Sequence, residues 1–386
     1  MMRALIIIGS FLLSLGAMAL NDRDLLENLR GRMRPLGLHR GSLIKSYTHL
    51  NQSYIYDQAL AIIAFTQAKR RKEARSLLQS LARLQRPDGS LYFSYFLDGS
   101  SPYPIEGDRR IAGAIAWVAL SASHYQHKFK SKEFFTFNLK LLTYLQKEMK
   151  TVSIDGNLYR TLRFGPVDIK ETPFREDQIT ALEHNLDAYA AFSAFADINH
   201  DPSWASDIQD IKNFIFSLWD KKNSHFWSGA SLADGLINKN EFYLDNQSWT
   251  ILALDPKDLE AIRPEKALLM NCQKLFVHHQ GVFGFMDVSP ARSPAAHAYV
   301  WSEGTLGQIM AMNKIQRHNS PRMSCHELTT SELLSSVMKM KKEDGGIAYS
   351  TTSEKADFTT SSSVAGTAWL FFAVNNFNPF KLSSPN

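Results

Sequence analysis

The stretch "TALEHNLDAYAAFSAF", Thr180 to Phe195, decides how the rest of the chain is read. Its first two turns carry Glu183, His184, Asn185 and Asp187, and the remainder is small and apolar almost to its end. A helix apolar nearly all round belongs in an interior, so ionisable groups gathered at one end of it need a reason. Five other segments share the plan of a polar start followed by a run of small and large apolar residues. They are "YIYDQALAIIAF" from Tyr54, "EGDRRIAGAIAWVAL" from Glu106, "LDNQSWTILAL" from Leu244, "WSEGTLGQIMAM" from Trp301 and "SSSVAGTAWLFFAV" from Ser361. Their starts lie roughly 50 to 75 residues apart, the size of a helical hairpin plus a loop, so the chain reads as an internal repeat.

Between these runs lie segments with a single apolar stripe: "EARSLLQSLARLQ", "KEFFTFNLKLLTYLQKEM" and "WASDIQDIKNFIFSLW". That pattern predicts outer helices, apolar inward and charged outward. Turn chemistry and a short aromatic or alternating run follow most of them, in "RPDGSLYFSY", "SIDGNLYRTL", "KNSHFWSGASLADG", "HHQGVFGFMD" and "KEDGGIAYST". These predict tight turns or small hairpins. An open solenoid could produce the alternation, but six buried inner helices are too many for one layer without exposed ends. The expected architecture is therefore an all-α (α/α)6 toroid, an inner barrel within an outer ring, with short β-hairpin turns between helical pairs. No long Pro/Gly/Ser-rich linker interrupts the chain, so residues 20–386 are expected to form one domain, ending in a short tail after Asn375.

Parallel inner helices would bring their polar ends to one mouth. That mouth would gather Tyr56 and Asp57, Asp108 to Arg110, Glu183 to Asp187, Asp245 to Gln247, Ser302 and Glu303, and Ser361 to Ser363. The blocks "IYDQAL", "EHNLDAY", "WSEGT" and "SVAGTAW" resemble those of exported bacterial members of the six-hairpin glycosidase superfamily, over about Tyr47 to Pro379. The resemblance implies an (α/α)6 enzyme acting on carbohydrate, and for glycoside cleavage it implies inversion. It leaves the substrate open, because the superfamily includes glycosidases, phosphorylases, lyases and epimerases.

Glycoside cleavage asks for two carboxyl groups across the scissile bond, one protonated and one ionised. Glu183 is the candidate general acid, since a carboxyl sheltered among aromatic groups can hold its proton toward neutral pH. The alternative is a capping box from Thr180 to Glu183. Asp187, one turn further on the same face, could tune Glu183 by like charge or satisfy a buried Arg. Asp57 is the candidate base, stabilised as an anion at a helix start. Glu303 competes with it, with Ser302 as a cap and Gly304 allowing close approach. Asp245 and Asp108 form a second tier, and Asp245 also reads as an N-cap. For substrate binding, Tyr56, Trp249 and Trp301 offer flat apolar faces, while His184, Asn185, Asn246 and Gln247 offer hydroxyl partners. Arg109 and Arg110 suit a uronate or a structural Asp. Trp117 and Trp369 lie deeper in their segments and read as core.

Composition narrows the alternatives. The 386 residues are 44% hydrophobic and 21% charged, an ordinary globular balance. The net charge of +5 is dispersed, and its densest run, "KRRKEAR", reads as the wet face of a helix, so nucleic-acid binding is not expected. His278-His279 lacks zinc-site spacing, and no nucleophile elbow, P-loop or dinucleotide fingerprint occurs, so neither metal nor cofactor is expected. Arg3, the apolar run after it and Ala17-Met18-Ala19 describe a signal peptide over residues 1–19, with an uncleaved anchor as the other reading. An exported, periplasmic or extracellular protein follows, without stable membrane insertion after cleavage. Cys272 and Cys325 could form one disulfide there or remain two buried thiols. The leading expectation is a secreted glycoside hydrolase on a poly- or oligosaccharide. A lyase or uronate epimerase using Tyr56, His184, Asn185 and Arg109 is the second reading, and a non-catalytic carbohydrate-binding toroid the third.

Overall fold

The computed structural model describes residues 22–37, 40–100, 109–165, 176–289, 298–317, 323–354 and 358–382. The expected signal segment and Asp108 fall outside the described residues. Twelve helices carry the architecture: α1 (Asp22–Gly31), α2 (Ile55–Gln67), α3 (Arg71–Leu84), α4 (Ala112–Phe129), α5 (Phe135–Glu148), α6 (Leu182–Asn199), α7 (Ala205–Ser217), α8 (Leu244–Ala253), α9 (Pro264–Leu275), α10 (Ser302–Arg317), α11 (Thr330–Met338) and α12 (Val364–Val374). The even-numbered helices are the inner ones, and each packs on the next around a ring that α12 closes by packing on α2. Each also packs on an outer helix: α3, α5, α7, α9 and α11 follow their partners in sequence. The sixth outer helix is α1, which precedes the first repeat and packs on α12. The result is the (α/α)6 toroid, closed by joining the two ends of the chain.

The sequence explains which helices go inside. Every residue of α12 up to Ala373 is buried, and α8 is buried throughout. Outer helices bury one stripe, as α3 does with Ala74, Leu77, Leu78, Ser80 and Leu81. The inner helices α4 and α6 stop at Lys130 and His200, both left-handed with φ of 50°. That conformation interrupts the helical hydrogen-bond pattern as a C-cap does.

Short β-pairs stitch the repeats together. Met149–Ile154 pairs with Asn157–Leu162 across Asp155-Gly156, and Phe276–His279 pairs with Val282–Phe285 across Gln280-Gly281. Both central residues of each turn have positive φ, as a two-residue hairpin with the favoured twist requires. Two other turn segments pair outward instead of folding on themselves. Ser94–Phe96 joins Gln52–Tyr54 ahead of α2, and Ile347–Ala348 joins Ser362–Ser363 ahead of α12.

The residues after Asn375 are not a loose tail. Phe380 is buried against Trp117, Trp249 and Trp369, with ring centroids at 4.9, 5.5 and 6.4 Å. The Pro379 carbonyl lies 2.9 Å from His124 Nε2, and Asn378 Nδ2 donates to the Leu252 carbonyl near the end of α8. The segment thus stoppers the barrel at the C-terminal ends of the inner helices. Cys272 on α9 and Cys325 form a disulfide with a Cα–Cα distance of 5.5 Å.

Candidate active site

The first free backbone N–H of each inner helix finds an acceptor in the loop that leads to the next inner helix. Ile55 donates to Phe93 O, Ala112 to Phe164 O, Leu182 to Ser228 O, Leu244 to Asp287 O, Ser302 to Tyr349 O and Val364 to Ser46 O, at 2.8–3.1 Å. The last of these completes the circuit, because Ser46 precedes α2. The orphan donors of a helix start are therefore partly met by a neighbouring repeat. In α2, α4, α6 and α8 no side chain caps the helix. The capping box, the alternative reading of Glu183, is absent: Ala181 is the N-cap of α6, and Thr180 Oγ1 donates to Leu162 O. Asp245 is likewise no cap, because Tyr243 holds that position. With capping done by backbone, the acidic side chains are free to face inward.

They face a cavity of about 880 Å³ inside the ring of helix starts. Tyr56 and Asp57 from α2, Glu183, His184 and Asp187 from α6, Asp245 and Trp249 from α8, and Glu303 from α10 all line it, with Arg109 and Trp301 just ahead of α4 and α10. Ten of the sequence-predicted residues meet there. Four do not. Asn185 accepts from the Leu162 amide and donates to Ala181 O and Thr180 Oγ1. Gln247 brackets Phe226 through both its N–H and C=O, and Asn246 is buried within α8. Arg110 turns toward Asp88, 3.6 Å away. Asn185 and Gln247 thus fix loops to helices and are not hydroxyl partners for a ligand.

The Tyr56 hydroxyl donates to Glu303 Oε1 and accepts from Trp369 Nε1 at 3.0 Å. Burial raises the Glu303 carboxyl to about 8, against the hydrogen bond from Tyr56, which favours its ionised form. Negative charge on Asp57 and Asp245 adds to the rise. Glu183 is raised to about 7 by its depth in the barrel and then by Glu303. Its side chain is still 42% accessible, because it projects into the cavity, so the surrounding protein rather than complete enclosure weakens its solvation. Asp57 is raised to about 7 by burial, opposed by hydrogen bonds from Ser46 and the Ala365 backbone and by Arg32. Burial and neighbouring carboxylates raise Asp187 and Asp245 well above the usual range. His184 is lowered to about 4 by burial, and Arg109 opposes its charge further, so it is neutral at physiological pH.

Sequence reading missed much of the aromatic wall. Trp117 lines the cavity and Trp369 supports Tyr56, so neither is core alone. Tyr47, Tyr54, Phe93, Phe164 and Tyr349 also line it. Phe93 and Tyr349 come from the turn segments, whose recurring aromatic residue was the available signal. Gly304 serves a wall residue too: a Cβ there would meet the Trp301 ring at 2.2 Å.

Neither a protein-family model nor a curated protein matches the chain. Solved structures do. A family 76 alpha-mannanase from Bacteroides thetaiotaomicron aligns over 92% of this chain and 94% of its own, at 12% identity and TM-score 0.62. Cellobiose 2-epimerase from Bacillus thermoamylovorans aligns over 92% and 99%, at 10% identity and TM-score 0.65. A family 8 endoglucanase from Klebsiella pneumoniae aligns over 91% and 99%, at 14% identity and TM-score 0.55. At such identities the likeness concerns architecture, and by that measure the chain shares the (α/α)6 fold of the six-hairpin glycosidase superfamily.

Proposed function

We propose that the protein is a carbohydrate-active enzyme, a glycoside hydrolase that cleaves a poly- or oligosaccharide with Glu183 and Glu303. The observation that carries this reading is the pair itself. Two carboxyls from separate inner helices line one cavity, and each keeps its proton toward neutral pH, with Glu303 acting on Glu183. Between the loss of the first and the second proton the two carboxyls pass through a singly protonated state. In that state one carboxyl delivers the proton to the leaving oxygen while the other activates the attacking water. The Tyr56 hydroxyl bonded to Glu303 sets how readily Glu303 gives up its proton. Asp57 supports this from behind: its oxygens are engaged by Ser46 and Ala365. The aromatic wall supplies faces for sugar rings.

Elimination or epimerisation of a uronate is the second reading: Tyr56, His184 and Arg109 line the cavity, but Asn185 is committed elsewhere and the five acids there would repel a uronate. An export destination belongs to the same proposal, and the Cys272–Cys325 bond fits it. The test is a panel of glycans incubated with the full chain and assayed for new reducing ends, unsaturated ends and epimerised sugars. New reducing ends alone are expected. Unsaturated or epimerised products would replace hydrolysis with the corresponding reaction.

A further inference from the structure

Two carboxyls suffice for hydrolysis, yet Asp57, Glu183, Asp187, Asp245 and Glu303 all line the cavity. Among the described lining residues Arg109 is the one Lys or Arg. The chemistry uses neither Asp245 nor Asp187, and the more deeply buried of the two is Asp187. It is 2% exposed, and a Cβ placed on Gly113 of α4 would come within 2.7 Å of its Oδ2. Its Oδ1 has no hydrogen-bond partner; the Trp117 indole N–H lies nearby without completing a bond. The charged groups acting on it are Glu183 on its own helix, Asp245 at the start of α8 and Glu303 at the start of α10, all acidic. A buried carboxyl without a counter-charge is costly. No three His, Cys, Asp or Glu side chains among the described residues converge as a metal ion would require. In the empty cavity Asp187 keeps its proton, and a cation that draws it into its ionised form must bring its own hydrogen-bond donors and fit beside an indole face, which attracts cations.

We propose that the cavity is built for an amino sugar, whose protonated amine sits at Asp187 beside Trp117 and Asp245. This rests on the glycan-binding reading above and narrows its substrate class. An ammonium supplies the positive charge that the surrounding acids lack, and its N–H groups can donate to the Asp187 carboxylate. An N-acetyl group removes that charge, and a uronate would add a further negative one.

The test is calorimetric titration of the full chain with D-glucosamine, N-acetyl-D-glucosamine and D-glucose, none of which has a bond to cleave. Glucosamine should bind at least about tenfold more tightly than either neutral sugar, and added salt should shrink the difference. Asp187→Asn should erase the preference while leaving thermal unfolding cooperative. Should that variant fail to fold, Asp245→Asn should lower the preference instead. Equal affinity for the three sugars, or a preference that survives in a folded Asp187→Asn variant, overturns the inference. Glu183-dependent cleavage of a neutral glycan without amine preference would sink this inference and leave the hydrolase reading standing. Amine preference without cleavage of any glycan would do the reverse.

Discussion

Tyr56 is the residue through which burial and chemistry meet. Its hydroxyl is held by Trp369 and donates to Glu303, and that donation is the main influence opposing the upward push of burial on the carboxyl. Tyr56→Phe removes it, so the Glu303 carboxyl should rise further above about 8. Activity requires the pair to keep one proton, and Glu303 is the last of the two to lose it, so the base limb of the kcat/KM profile should move to higher pH. A pH–rate profile checks this, and a base limb that stays put or moves downward would remove Tyr56 from the mechanism. Glu183 and Asp57 were legible as acids at helix starts. The influence of Glu303 on Glu183 was not, because they are distant in sequence and share only the cavity.

At the scale of the element, the polar ends of the inner helices are set by who caps them. Residue types alone suggested side-chain caps at Thr180 and Asp245, and the structure uses backbone carbonyls of the neighbouring repeat instead. Such donors are invisible to local sequence, since any residue offers a carbonyl. The inner helices themselves were legible because a helix apolar on every side must be surrounded by protein to be stable in water. Outer helices α9 and α11 were not singled out, and α1 precedes the first repeat and so escaped the pattern. Gly113 shows how tightly two inner helices approach. A Cβ at that position would lie 2.4 Å from His184 Cδ2 and 2.7 Å from Asp187 Oδ2. Gly113→Ala should therefore displace both side chains, lower stability by about 1–3 kcal/mol and reduce activity more than stability alone explains. Thermal unfolding alongside turnover measures both. An alanine variant with unchanged activity would mean that these side chains need no fixed position.

Across the whole molecule, a closed ring with one stoppered end turns six repeats into a single blind chamber. Closure joins α1 to α12 and Ser46 to Val364, while Phe380 fills the barrel behind the tryptophans. The carboxyls are brought together by this topology and by nothing local. The most direct measurement is the turnover of Glu183→Gln and Glu303→Gln, side by side with the unsubstituted chain, on a glycan that the chain cleaves. Each amide should lower kcat by about a hundredfold or more while thermal unfolding stays cooperative. Two folded variants that retain full turnover would show that the chamber's acids do not perform the chemistry.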